Sequence, residues 1–237
     1  MAQEGAAVSL CSRNREKVEA AANRIREETS GAAAGFAFDL ACPDHPAAWL
    51  KASLERFGRA DILVHNTGGP PPGEFDDLDD AAFQRAFELV VMSAVRTFRA
   101  VIPEMLRQGW GRIVAIESIS VKEPIEGLLL SNALRPGVVA VCKSLARRLA
   151  SRGIVVNCVA PGSYNTARSV QLAKDRANRA GISLEEFQAA AAKRFPRGRP
   201  GEPAELAGLV AFLCSEQASN LNGATFVADG GAARSLT

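Results

Sequence analysis

Short apolar runs alternate along the chain with longer segments in which apolar residues recur at helical spacing. Runs over 6–10, 35–38, 61–66, 111–116, 154–159 and 225–228 are rich in Val, Ile, Ala and Phe and too short for stable helices, so they predict strands. Between them the pattern predicts helices over 15–30, 44–57, 79–107 and 135–152. In the third of these, Phe83, Phe87, Val90, Val91, Ala94, Phe98 and Val101 fall on one helical face behind Asp79, a suitable N-cap. A polar, partly helical stretch covers 166–194, and Pro203 suits the first turn of a further helix carrying Leu206, Leu209, Val210 and Leu213 on one side. Strands that alternate with helices predict an α/β fold, a doubly wound parallel sheet with helices on both faces.

In such a sheet, ligands bind outside the carboxyl ends of the strands. The predicted ends place Asp39, Asn66, Ser118 and Pro161 on one rim. Composition narrows the partners. The chain is 47% hydrophobic and 23% charged with a net charge of +2, which gives no basic surface for nucleic acid or an anionic membrane. No apolar run reaches the ~18 residues that a membrane span requires. The five cysteines are scattered without a C-x-x-C pair and read as reduced thiols of a cytoplasmic protein. His45 and His65 stand apart from any further ligand cluster, so no metal is expected.

Five motifs then succeed one another in order: Asp61-Ile-Leu-Val-His-Asn-Thr-Gly68, Gly111-Arg-Ile-Val-Ala-Ile-Glu-Ser118, Val155-Val-Asn-Cys-Val-Ala-Pro-Gly162, Arg197-Gly-Arg-Pro-Gly-Glu-Pro203 and Asp229-Gly-Gly231. In this order and spacing the chain resembles the short-chain dehydrogenases/reductases over nearly its whole length. Leu128-Leu-Leu-Ser131-Asn-Ala-Leu-Arg135, together with Asn66-Thr-Gly-Gly-Pro-Pro-Pro-Gly73, resembles a divergent oxoacyl-carrier-protein-reductase-like subgroup that lacks the usual tyrosine and lysine.

The resemblance implies a Rossmann-type fold over 1–237 as one domain. It also implies an NAD(P)-dependent oxidoreductase acting on a carbonyl or hydroxyl of a small or acyl substrate, in a homodimer or homotetramer. Two departures qualify this. The family opens with a strand and a Gly-rich turn that sets a helix N-terminus against the cofactor pyrophosphate. Here Met1-Ala-Gln-Glu-Gly-Ala-Ala-Val resembles the end of that first helix running into the second strand, so the first strand and Gly-rich turn are expected to be lacking. The sheet would then be left open, close up, or be completed by another chain, and tight dinucleotide binding would be lost.

The second departure is catalytic. Ser118 matches the family serine, but Ser131 stands at the tyrosine position, Arg135 at the lysine position and Val90 at that of the helix asparagine. A serine hydroxyl is too weak an acid to replace a phenol, and an arginine stays charged and cannot pass a proton, though it can hold hydroxyls or an oxyanion. Lys122, just past Ser118 in a charge cluster with Glu117 and Glu123, is a candidate for the missing proton donor, against an ordinary solvated loop role. Tyr164 reads as a packed aromatic.

Among cofactor contacts the resemblance implies Arg13, Asp39, Asn66, Gly68, Arg135, Pro161, Gly162 and Thr166. A basic Arg13 after the first strand favours the 2′-phosphate of NADP(H) over the free hydroxyl of NAD(H). Asp39 also suits capping of the segment after it. Pro136 forbids an ordinary helix through that point, so a helix start near Arg135 or a kink is expected. Arg168, Lys174, Arg176, Arg179, Lys193 and Arg194 are interspersed with acidic residues and read as a mixed solvated face. The departures leave an alternative function open: a catalytically inactive relative serving as a ligand-binding or scaffold subunit.

Overall fold

The computed structural model describes residues 1–193 and 195–236, the side chains of Ala167, Arg168, Gln171, Leu172, Asp175 and Arg176 excepted. Its strands are β1 Val8–Ser12, β2 Ala33–Ala37, β3 Ile62–His65, β4 Gly111–Ile116, β5 Ile154–Pro161 and β6 Thr225–Ala228. Its α-helices are α1 Arg15–Thr29, α2 His45–Phe57, α3 Asp80–Phe87, α4 Ser93–Gln108, α5 Leu129–Leu149, α6 Ala167–Ala180, α7 Leu184–Ala192 and α8 Pro203–Leu213. The caps obey local chemistry. Asn14 accepts from the Lys17 amide at 2.8 Å to start α1, Asp79 from the Ala82 amide at 2.7 Å to start α3, and Pro203 occupies the first turn of α8.

All strand pairs are parallel. β3, β4, β5 and β6 form a four-stranded sheet in that order, with Ile113 opposite Val156 and Val159 opposite Phe226. β4 and β5 are buried along almost their whole length because helices cover both faces. On one face Ile113, Ala115 and Val156 pack against Phe98 and Met105 of α4 and Val138 and Cys142 of α5. On the other, Val114, Ile116 and Val159 pack against Val210 and Leu213 of α8, with Met1 beside them. The fold is the doubly wound α/β type that the alternation of elements predicts.

β1 and β2 form a separate two-stranded sheet, and α1 lies against β2 closely enough that a Cβ on Gly35 would stand 2.6 Å from the Val18 carbonyl oxygen. Among the described residues no strand joins β1 to β3, so the parallel array is divided between them. α2 spans the division: the Trp49 indole donates to Ser9 Oγ of β1 at 2.9 Å, Ser9 and Ser53 hydroxyls meet at 2.6 Å, and Trp49 and Leu50 pack on the core of the larger sheet.

Two helical details differ from expectation. α5 does not start near Arg135: it starts at Leu129 and continues through Pro136. The proline ring is exposed, and the helix holds because Leu130, Ser131, Arg135 and Val138 are buried along its other side. The long third helix is interrupted by a π-helical turn over Glu88–Met92, which turns Val90 into the core and separates α3 from α4. Of the basic residues noted between 166 and 194, Lys174, Arg179 and Lys193 are exposed; the side chains of Arg168 and Arg176, and all of Arg194, lie outside the described residues.

Candidate active site

The carboxyl ends of β3, β4 and β5 carry the motif residues to one rim. β4 leads directly into Glu117 and Ser118. Ser118 caps a short 3-10 turn over Ile119–Val121, its Oγ accepting from the Ser120 amide at 3.1 Å. That local contact uses an acceptor lone pair and leaves the hydroxyl proton free to donate. Ser118 itself is partly exposed on the rim.

α5 delivers Ser131 and Arg135 to the same place, one helical turn apart on its buried side. Arg135 Nε donates to Ser131 Oγ at 3.1 Å, and the hydroxyls of Ser131 and Ser120 meet at 3.1 Å. Arg135 Nη1 donates to a Glu117 carboxylate oxygen at 3.1 Å and reaches the Ile116 carbonyl at 3.5 Å. The ion pair is deep, with side-chain exposures of 7% for Arg135 and 2% for Glu117. Burial pushes the Glu117 carboxyl up to about 7, against the opposing pull of the guanidinium charge and its hydrogen bond. Ser120, Ser131, Arg135 and Glu117 are therefore linked through their side chains, while Ser118 lies beside them and touches the group only through the Ser120 backbone amide.

His65 ends β3 beneath this group. Its Nε2 lies 3.4 Å from Ser93 Oγ at the start of α4, while the buried Nδ1 has no hydrogen-bonding partner among the described residues. Burial first, and the positive charge of Arg135 second, push its pKa down to about 4 and keep the ring neutral.

The loop after β3 forms a wall. Gly73 donates to the Gly127 carbonyl at 2.9 Å, Leu129 donates to the Gly73 carbonyl at 3.3 Å, and Glu74 accepts from the Gly127 amide at 2.5 Å. The segment 68–74 is thereby tied to the entry of α5. Asn66 and Gly68 are exposed at its start, and a Cβ added to Gly68 would meet nothing.

The remaining residues sit around this centre without joining it. Lys122 is half-buried at the end of the turn after Ser118, and its amine makes no hydrogen bond among the described residues. Glu123 turns to the carboxy-terminal segment and accepts from the Arg234 amide at 3.1 Å, so Glu117, Lys122 and Glu123 do not form one cluster. Pro161 ends β5, and the Gly162 amide donates to the Ala228 carbonyl at 3.0 Å. Thr166 caps α6, accepting from the Ser169 amide at 3.2 Å. The Tyr164 hydroxyl donates to the Ala228 carbonyl at 2.9 Å, a packing role.

Arg13 and Asp39 lie away from the serines, at the carboxyl ends of β1 and β2. Asp39 accepts from the Ala41 amide at 3.0 Å, the local capping role, and Arg13 is exposed. Both line a cavity of about 820 Å³ whose far wall includes Phe83, Phe87 and Leu134. The cavity is large enough for an adenosine-sized group and is lined by apolar side chains together with Arg13, Arg85, Asp39 and Glu88.

A family model described as enoyl-(acyl carrier protein) reductase matches residues 1–233, and the chain belongs to the short-chain dehydrogenase/reductase family. It is similar to the dehydrogenase/reductase SDR family member 4 of Oryctolagus cuniculus, 32% identical over 233 residues that cover 98% of this chain and 86% of the relative. The L-sorbose reductase of Gluconobacter frateurii, solved in complex with NADPH and L-sorbose, superimposes with a TM-score of 0.95 at 31% identity over 99% of this chain and 90% of that one. An NADPH-bound short-chain oxidoreductase of Pseudomonas aeruginosa PAO1, described as containing an atypical catalytic center, matches with a TM-score of 0.88 at 27% identity over 97% of this chain and 88% of that one. The chain is accordingly an NAD(P)-dependent oxidoreductase by class, and the alternative of an inactive scaffold is not favoured.

Proposed function

We propose that the protein reduces the carbonyl of a small or acyl substrate with NADP(H) as its preferred cofactor, using Ser118 and Arg135 to hold the reacting oxygen. The observation that carries this reading is the buried guanidinium of Arg135, hydrogen-bonded to Ser131 and set on the same rim as the half-exposed Ser118 hydroxyl. Bound NADPH supplies the hydride. Ser118 donates a hydrogen bond to the substrate oxygen, and Arg135 stabilises negative charge as it develops there. Ser131 braces Arg135 and does not serve as the acid, since its oxygen is engaged by Arg135 and Ser120. Lys122 is the proposed proton donor from the edge of the rim.

On this reading Arg13 holds the 2′-phosphate, Asp39, Asn66 and Gly68 flank the adenosine, and Pro161, Gly162 and Thr166 flank the nicotinamide end. The division between β1 and β3 is where a strand and Gly-rich turn would hold the pyrophosphate, so residues 1–237 alone are expected to bind the cofactor weakly. The family resemblance extends the reading to one domain over 1–237, acting in the cytoplasm as a homodimer or homotetramer.

Calorimetric titration with NADPH and NADH tests the cofactor assignment. NADPH is expected to bind more tightly, and Arg13→Ala to narrow the difference about tenfold, the worth of one charge-assisted phosphate contact. No heat of binding at millimolar NADPH would overturn the reading. Ser118→Ala is expected to lower the carbonyl reduction rate by about a hundredfold, as loss of an oxyanion donor does.

A further inference from the structure

Among the described residues Glu117 is the buried carboxylate of the molecule, and it sits directly under the rim. Removing a carboxylate from water is costly unless it is paired with good geometry. The pairing found here fixes more than a charge. Arg135 has its Nε on Ser131 and its Nη1 on Glu117 and the Ile116 carbonyl. Those contacts define the plane of the guanidinium. Nη2 has no hydrogen-bonding partner among the described residues, and it lies 4.0 Å from where a Cβ on Gly69 would stand. The free edge of the fork therefore faces the glycine wall of the site.

We propose, resting on the reading of this rim as the reactive site, that Glu117 is a positioning residue. It anchors Arg135 so that Nη2 donates to an uncharged oxygen of a bound ligand, a sugar hydroxyl or a carbonyl. An ion pair carries no net charge, so the anchored guanidinium takes up an oxygen that is uncharged when the ligand binds, rather than drawing a full anion into the rim, and remains placed to stabilise the partial charge that develops on that oxygen. Other groups around Glu117 do not change this balance near neutrality. Arg135 and Cys142 act on it from α5, Cys158 of β5 is in contact with Cys142, and His65 of β3, which feels the charge of Arg135, is held neutral. The Cys142 thiol is pushed well above its ordinary range by its contact with Cys158 and by burial, so it stays protonated. Because burial lifts Glu117 to about 7, the pair is complete above that pH and loses its negative member below it.

The test needs no substrate. In nitrogen-15 NMR the Arg135 Nε–H signal, assigned by its loss in Arg135→Lys, is expected to move with a midpoint near 7 in the unaltered protein and to stay still in Glu117→Gln. A signal that does not move, or that moves alike in both proteins, overturns the proposal. With NADPH as probe above neutral pH, Glu117→Gln is expected to weaken binding about tenfold, and Glu117→Asp, which keeps the charge, to recover part of it. If Glu117→Gln does not fold, Glu117→Asp carries the test. It keeps a titrating Arg135 signal with a displaced midpoint, and an unchanged midpoint and unchanged NADPH affinity would refute the assignment. Failure of the unaltered protein to bind NADPH while its Arg135 signal tracks Glu117 would overturn the cofactor reading and leave the positioning role standing.

Discussion

Glu117 and His65 both feel the charge of Arg135 and are shifted by burial in opposite senses, which gives the protein a pH dependence that neither residue shows alone. Glu117 is raised from 4.5 to about 7, so its contribution to stability is full below 4.5 and is lost as pH rises through about 7. His65 is lowered from 6.5 to about 4, so its contribution is full above 6.5 and is lost as pH falls through about 4. Each spans about 3 kcal/mol on a linkage basis, and between 4.5 and 6.5 the slopes oppose one another. Urea denaturation across this range is expected to show a nearly level profile for the unaltered protein. Glu117→Gln should uncover stability that climbs with pH, and His65→Asn stability that falls with it; three parallel profiles would refute the assignment. The motif residues Ser118, Ser131 and Arg135 were readable from sequence order; the structure hydrogen-bonds Ser131 to Arg135 and leaves Ser118 beside them on the Ser120 amide. The partner Glu117 was visible only as part of a charge cluster, because its contact depends on the register of α5 against β4. The usable signal was strand alternation: Ile113 and Ala115 face α4 and α5, so the residue two further on faces them too.

At the level of elements, hydrophobic periodicity placed every strand within a few residues, and local signals recovered the N-cap at Asp79 and the first-turn proline Pro203. It failed at α5, where a local rule was applied without its tertiary setting. Pro136 removes an amide donor about two turns inside the helix, a cost of up to ~3 kcal/mol, yet the buried side of α5 carries Leu130, Arg135 and Val138 and holds the chain helical. Since Pro136 is exposed, Pro136→Ala is expected to raise stability by about 1–3 kcal/mol without disturbing the core, read as a higher denaturation midpoint with an unchanged denaturant slope. A lower midpoint would mean that the proline shapes α5 for the site. The π-helical turn over Glu88–Met92 was equally hidden, because an extra residue in a helix turn leaves the apolar spacing nearly intact while rotating the helix beyond it.

At the scale of the whole molecule the division between β1 and β3 governs how stability is distributed. The alternation of elements foretold the doubly wound sheet; it could not say how the two sheets, β1–β2 and β3–β6, would hold together. The structure answers with α2, whose Trp49 and Ser53 grip Ser9 while Trp49 and Leu50 pack on the larger core. Such a link is slight beside the four-stranded sheet. β1 is only half-buried along its length, whereas β4 is buried at every position. Local opening costs least where few apolar contacts are broken, so the β1–α1–β2 unit should open well before the rest. Hydrogen exchange read by mass spectrometry is expected to show faster exchange in Val8–Ser12 and Ala33–Ala37 than in Gly111–Ile116 and Ile154–Pro161. Extending the chain at Met1 by an apolar strand, a T-G-x-x-x-G-I-G turn and a helix supplies a parallel partner for both free edges. That extension is expected to slow exchange in β1 and β3 together and to tighten NADPH binding in the same protein. Slowing in one strand only, or tighter NADPH binding without slowing, would show that the inserted strand does not seat between them.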